Sequence, residues 1–267
     1  MERVKTVIIT GVLGGMGKAT AQLLLKEQFN VIGLDILDNC DLPISYYKTD
    51  LTSEESIQKS YNCIIEQVKS IDAIIHFAGV YKMGSLVEMC EREFTSIFDI
   101  NLFSIYRVNK IFLPLINKKG KIIITSSELA PLWPLPFTGI YAITKSSVEK
   151  YAYSLKMELN LLDINVSIIR PGAVKTSLLN QSVNELEKLC ENTKLYKYNT
   201  KKFKTIVNSV EAKHIEPKLI AKKAHKILSS KNPKFAYNIN RNKLLKLLNI
   251  FPKRLQFFVI KSILKSK

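Results

Sequence analysis

Short runs rich in valine and isoleucine, at residues 7–10, 30–34, 73–77, 121–125 and 165–169, alternate along the chain with longer stretches of helical periodicity. In several runs apolar residues stand at consecutive positions instead of alternate ones, the pattern of a strand covered on both faces. Strand and helix in alternation predict βαβ units, hence an α/β fold with a doubly wound parallel sheet. Ligands in such sheets bind beyond the carboxyl ends of the strands, so the residues that follow each run are the ones to search for chemistry. No internal repeat, low-complexity linker or shift of composition interrupts the pattern before about residue 180.

A chain of 267 residues is expected to close as one α/β domain around one extended core. Its 46% hydrophobic and 24% charged residues exclude a disordered or fibrous class. Cys40, Cys63, Cys90 and Cys190 share no Cys-x-x-Cys spacing, so the expectation is a reduced, cytoplasmic protein with no metal site and no disulfide framework. Met1-Glu2-Arg3-Val4-Lys5 runs directly into Val7-Ile8-Ile9 without an apolar segment of secretory length. Apolar segments elsewhere are too short or too interrupted to span a bilayer. Charge is placed unevenly: residues 1–180 hold 19 basic and 18 acidic side chains, whereas residues 181–267 hold 21 and 5, within a net charge of +17. A neutral body with a basic C-terminal region points to a local surface for a membrane, an anion or an acidic partner, and no nucleic-acid partner is expected.

After the first run comes Thr10-Gly11-Val12-Leu13-Gly14-Gly15-Met16-Gly17, opening into a good helix former. Strand, glycine turn and helix in this order let the backbone approach a pyrophosphate and meet its charge with free amides at the positive helix end. Gly11, Gly14, Gly15, Met16 and Gly17 are therefore candidate cofactor contacts, and the fold is expected to be Rossmann-type. Here the sequence resembles the short-chain dehydrogenase/reductase family, whose Gly-x-x-x-Gly-x-Gly signature fits Gly11, Gly15 and Gly17. Gly11, Gly14 and Gly17 equally fit the Gly-x-x-Gly-x-x-Gly spacing of the family's extended branch of epimerases and dehydratases. The short C-terminal region favours the classical dehydrogenase branch. Asp35, at the end of the second strand and 18 residues after Gly17, is spaced to accept hydrogen bonds from the adenosine ribose. Its carboxylate would repel the extra phosphate of NADP, and no compensating cation stands at Gly14 or Ile36, so NAD is expected over NADP. The resemblance implies that Asp50 and the Leu51 amide meet the adenine edge; read alone, Asp50 would cap a helix over residues 52–60. It also implies that Ala78 and Gly79 pass beneath the cofactor, although His76-Phe77-Ala78-Gly79 stands where the family usually has Asn-Asn-Ala-Gly. His76 is read as a packed core histidine.

Tyr141 and Lys145 stand four apart, on one helix face, after the fifth strand. Ser126 and Ser127 close that strand and Asn101 lies on the helix before it. Moving a proton at an alcohol oxygen while a hydride crosses to nicotinamide needs an acid/base, and a free tyrosine with a pKa near 10 is poorly tuned. The Lys145 ammonium, with the positive nicotinamide, is expected to bring Tyr141 down toward working pH while Lys145 bonds the nicotinamide ribose. Ser127 is expected to hold the substrate oxygen, with Ser126 as its rival because the interval to Tyr141 is one residue long. The resemblance implies that Asn101 supports a water linking Lys145 to solvent. After the sixth strand, Pro171-Gly172-Ala173-Val174-Lys175-Thr176 matches the family's Pro-Gly-x-Val-x-Thr turn, which implies that Val174 and Thr176 bind the carboxamide.

These features lead to an expected oxidoreductase acting on alcohol or carbonyl groups, with two alternatives: an epimerase or dehydratase using the same tyrosine, or a catalytically silent NAD-binding regulator. Leu129-Ala130-Pro131-Leu132-Trp133-Pro134-Leu135-Pro136-Phe137, between Ser127 and Tyr141, together with Leu178 and Leu179, is expected to line a pocket for an apolar substrate. The family resemblance implies a homodimer or homotetramer, for which residues 101–116 and 146–159 keep enough apolar positions. The catalytic domain is expected to span residues 1–240. Residues 241–267 are expected to form two short basic amphipathic helices broken at Pro252, acting as a lid that packs on the body or rests on an anionic membrane.

Overall fold

A computed structural model describes residues 3–209 and 214–265, so Met1, Glu2 and the last two residues of the basic segment 241–267 lie outside the described residues. Among the described residues seven strands, β1 (Thr6–Thr10), β2 (Asn30–Asp35), β3 (Ser45–Lys48), β4 (Ile71–His76), β5 (Ile116–Thr125), β6 (Asn165–Pro171) and β7 (Ala236–Ile239), form one sheet in the order β3-β2-β1-β4-β5-β6-β7. Every pairing is parallel. The order reverses between β1 and β4, which opens a crevice at their carboxyl ends.

Among the described residues, ten α-helices cover the sheet and its rim: α1 (Gly15–Lys26), α2 (Glu54–Gln67), α3 (Glu91–Phe98), α4 (Ser104–Phe112), α5 (Gly139–Leu159), α6 (Ser177–Asn192), α7 (Lys197–Ser209), α8 (Pro217–Ser229), α9 (Lys243–Ile250) and α10 (Lys253–Leu264). The consecutive apolar residues of β1 explain why both faces need helices. Val7 and Ile9 pack with Ala21 and Leu24 of α1 and Ile220 and Ala224 of α8. Ile8 points the other way, onto Ile57 and Ile64 of α2 and Val108 and Phe112 of α4. All three strand residues are fully buried, so truncating any one to alanine costs about 2–5 kcal/mol.

Several boundaries differ from the sequence expectation. Residues 101–116 do not form one helix. A π-helical turn at Asp99–Phe103 leads into α4, and a 3-10 turn at Leu113–Leu115, with proline in its first turn, stops it. Strand β5 starts ahead of residues 121–125 because Ile116 pairs with Ile71 before a register shift. Strand β4 ends at His76, one residue short of Phe77. Asp50 is not a helix cap: α2 begins at Glu54, and its cap is Ser53, whose side chain accepts from the Ser56 amide at 3.1 Å. Strand β7 had no counterpart in the expectation. It is a four-residue edge strand, only part-buried and interrupted by Asn238, so it lacks a strong apolar run. In the C-terminal segment, Pro252 separates α9 from α10 and caps the second.

Candidate active site

The glycine turn after β1 is locked by sterics. Gly11 has a left-handed φ of 65°, and a Cβ there would stand 2.6 Å from the Ala78 amide nitrogen. A Cβ on Gly17 would run into the Gly11 carbonyl oxygen, and one on Gly15 would come 2.6 Å from the Thr176 methyl. Gly14 is less confined, its nearest neighbour being the Gly11 oxygen at 3.3 Å. The three glycines the backbone most needs are thus Gly11, Gly15 and Gly17. Gly14 makes no side-chain cap at the start of α1, which leaves the first amides of that helix open to an anion. Together with the close approach of Thr176, these amides form a cradle that fits a dinucleotide pyrophosphate.

At the end of β2, Asp35 accepts from the Leu13 amide at 2.9 Å and from the Ile36 amide at 2.8 Å, which ties the glycine turn to the second strand. Asp50 accepts from the backbone and hydroxyl of Thr52 at 2.8 and 2.7 Å, and the Leu51 carbonyl accepts from Arg107 at 3.5 Å. Beyond β4, a Cβ on Gly79 would lie 3.1 Å from Asn101 Oδ1, so the backbone passes close over that side chain. His76 is buried and shares a 2.9 Å bond with Asn109. Burial pushes its imidazole down to about 4, so it stays neutral.

Asn101 sits fully buried within the π-helical turn, a distortion that often marks functional positions. Its carboxamide accepts from the Val80 amide at 2.8 Å and donates to the Val80 carbonyl at 3.0 Å, with a longer contact to Thr144 Oγ1 at 3.3 Å. In this way one side chain clamps the strand-end segment that leads to the cavity.

Tyr141 lies in the first turn of α5 and Lys145 one turn on; both are buried. Tyr141 and Ser127 both line the cavity, and Ser127 acts to lower the pKa of the Tyr141 hydroxyl. Ser127 also accepts from the Leu129 amide at 3.2 Å. The Ser126 hydroxyl turns away, donating to Glu149 at 2.8 Å, and Glu149 is held by two charge-assisted bonds from Arg170 at 2.7 and 2.6 Å. Lys145 donates to the Thr125 carbonyl at 3.1 Å, and its Nζ stands 5.8 Å from the Tyr141 ring centre. Burial pushes Tyr141 up to about 12, despite the opposing influence of Ser127, and pushes Lys145 down to about 8. In the protein alone burial therefore sets both groups, and Tyr141 is raised where a lowering by Lys145 was expected.

Tyr81 was missed in the sequence. Its ring lies 4.6 Å from that of Tyr141 and burial raises its hydroxyl further above the usual range. The signal was its place just after Gly79, beyond a strand's carboxyl end.

The turn after β6 completes the site. A Cβ on Gly172 would collide with the Asn240 carbonyl, and the Gly172 amide donates to Ile239 at 2.8 Å, so β7 braces this turn. Val174 forms a bridge with Ile215, and Thr176 starts α6 with its side chain left out of capping.

A cavity of about 600 Å³ joins these parts, with Met16, Gly79, Ser127, Tyr141, Lys145 and Thr176 in its wall. Pro171, Gly172 and Val174 also reach it, whereas Gly11, Gly14, Gly15, Gly17, Asp35, Asp50, Leu51, Ala78 and Asn101 stand outside that wall. Its other end is apolar. Leu129, Leu132, Trp133, Leu135, Pro136, Leu178 and Leu179 line it as expected, but Ala130, Pro131, Pro134 and Phe137 do not; Phe137, with φ at 68°, packs on Tyr196 and Phe203. Helices α9 and α10 form a roof. Asn249 accepts from the Trp133 amide at 2.7 Å, and Leu264 joins Met83, Leu186, Leu189 and Phe203 in a buried cluster. Among the described residues, no group of His, Cys, Asp and Glu could hold a metal ion, and no helix is long and apolar enough to cross a membrane.

A short chain dehydrogenase family model matches residues 5–187. The chain is similar to a 3-ketodihydrosphingosine reductase of Bacteroides thetaiotaomicron, 28% identical over 233 residues that cover 86% of this chain and 85% of the relative. It is 26% identical over 277 residues to an uncharacterized oxidoreductase of Bacillus subtilis, covering 98% of each chain. The fold matches ligand-free aldohexose dehydrogenase of Thermoplasma acidophilum at a TM-score of 0.73 and 22% identity, over 89% of this chain and 92% of that one.

Proposed function

The chain belongs to the short-chain dehydrogenase family and is an oxidoreductase that acts on alcohol or carbonyl groups with a nicotinamide cofactor; from that premise we propose that it uses NAD, that Tyr141 is its acid/base and that its substrate is predominantly apolar. The observation that carries this reading is that Ser127, Tyr141 and Lys145 share the wall of a largely apolar cavity that Met16 and Thr176 also line.

The bound cofactor would supply or accept the hydride. Ser127 orients the substrate oxygen, and Tyr141 gives or takes the proton at that oxygen. Burial favours neutral Tyr141 and works against charge on Lys145. Lys145, held at the Thr125 carbonyl, would favour tyrosinate only together with the positive nicotinamide of the bound cofactor, and its ammonium would bond a ribose hydroxyl. Asn101 keeps the Val80 backbone in place and lies next to Lys145 across Gly79, which supports a part for it in relaying protons to solvent.

Asp35 supports NAD as the preferred cofactor: its carboxylate occupies the end of β2, where a ribose phosphate would meet like charge. The leucine-rich wall supports an apolar substrate. The relative named 3-ketodihydrosphingosine reductase points the same way, its name specifying a ketone of a lipid base. Homo-oligomerisation through α4 and α5 belongs to the same proposal, with Tyr106, Tyr153 and Met157 exposed there.

A homologous series of methyl ketones and secondary alcohols tests the substrate class. Each added methylene is expected to raise kcat/KM about fourfold, following roughly 0.8 kcal/mol per buried CH₂, until the cavity is filled. A small polyol as the best substrate would contradict it.

A further inference from the structure

We propose that the roof helices α9 and α10 dock on an anionic lipid surface and that the mouth of the cavity opens onto that surface. The proposal rests on the reading of the cavity as an apolar substrate site and adds where the substrate comes from.

The first observation is an apolar face left in water. On α9 and α10, Ile250 is 79% exposed, Phe257 70% and Phe258 66%, and none of them lines the cavity. The inner faces of the same helices are occupied: Leu248 and Ile260 reach the cavity, and Leu264 and Gln256 are buried. Packing on the body therefore accounts for one side of each helix only. Three such side chains exposed close together along a short segment mark a contact surface.

The second observation is continuity between that face and the cavity. Trp133, Ile206, Val207, Leu244 and Ile263 all line the cavity and are also exposed, so the lip of the mouth is itself apolar. A substrate arriving from water would have a wetted entrance. This lip suits a molecule moving from one apolar medium to another. Trp133 stands at the lip with Lys253 Nζ 3.7 Å from its ring centre, a cation and an amphipathic ring together, as at a membrane interface.

Charge selects the occupant. No Asp or Glu follows Glu216. Lys243, Lys246, Lys253, Arg254, Lys261 and Lys265 are exposed on or beside the two helices. A second copy of the chain meeting this face would set cations against cations, which is costly at an interface. An anionic leaflet meets them with opposite charge, while Phe257, Phe258 and Ile250 enter the headgroup boundary. Helices of 8 and 12 residues are too short to span, so they lie in the interface plane.

Co-sedimentation of the full chain with vesicles of phosphatidylcholine alone, and of phosphatidylcholine mixed with phosphatidylglycerol, tests the proposal. The protein is expected to pellet with the mixed vesicles, to stay largely in solution with the neutral ones, and to be released by high salt. Phe257→Glu with Phe258→Glu should lower the bound fraction about tenfold or more, while NAD binding by calorimetry is unchanged. Should that variant lose NAD binding, Lys253→Gln with Lys261→Gln reads the same surface through a weaker, less salt-dependent association. Equal sedimentation with and without phosphatidylglycerol overturns the proposal. So does a dimer that the Phe257/Phe258 variant splits without any lipid binding, because the face is then a subunit interface. Lipid binding needs no turnover, so the vesicle result and the chain-length series fail independently.

Discussion

The Ser126 hydroxyl donates to Glu149 at 2.8 Å, which commits it to the part-buried ion pair with Arg170 and leaves Ser127 as the serine beside Tyr141. Both serines line the cavity, but only Ser127 keeps its hydroxyl clear of Glu149. Ser127→Ala is expected to lower kcat by about 10²–10³-fold, the usual loss when an oxygen-binding donor is removed. Ser126→Ala should leave kcat within about threefold and lower stability by about 1 kcal/mol through the lost bond to Glu149. Steady-state kinetics and urea unfolding of both variants check this; the reverse assignment of losses would exchange their roles.

Asp35 ties down the glycine turn, and cofactor selection is the second role proposed for it. Asp35→Ala removes the acceptor of the Leu13 amide and the carboxylate that disfavours a ribose phosphate. NAD is expected to bind about tenfold more weakly, and the preference for NAD over NADP in kcat/KM should largely vanish. An unchanged ratio, or a native enzyme more efficient with NADP, contradicts the assignment.

His76 links stability to acid. Its folded value near 4 lies below the ordinary 6.5 because burial disfavours the cation. As pH falls, the unfolded chain takes the proton first. The contribution of neutral His76 is thus fully present above about 6.5 and is lost as pH falls toward about 4. The loss amounts to about 3 kcal/mol in order of magnitude. Urea unfolding of the native protein and of His76→Gln at pH 7 and pH 4.5 should show a smaller acid loss in the variant. Equal losses would show that carboxylates alone set the acid limb.

The sheet was legible because its strands are buried on both faces and so read as unbroken apolar runs, Val7-Ile8-Ile9 being the plainest. Strand β7 was not, since an edge strand with half-exposed residues such as Asn238 carries little apolar pattern and exists through its pairing to β6. In the site, Tyr141, Lys145, Ser127 and the glycines were legible as spacings. The choice between Gly14 and Gly15 was not, because it depends on Thr176, far along the chain, standing against Gly15. The choice between Ser126 and Ser127 likewise depends on Glu149 and Arg170 meeting behind the strand. Tyr81 carried no motif; only the fold brings its ring to Tyr141. The shifts of Tyr141 and Lys145 were hidden as well, because spacing places two groups together without telling how deeply both are buried.

The most direct test of Tyr141 as the acid/base compares Tyr141→Phe with Lys145→Ala, using calorimetry for NAD binding and nicotinamide absorbance for turnover. Tyr141→Phe should bind NAD as the native protein does and lose turnover by about 10³-fold or more, while Lys145→Ala should impair both. Turnover by Tyr141→Phe equal to that of the native enzyme would contradict the mechanism.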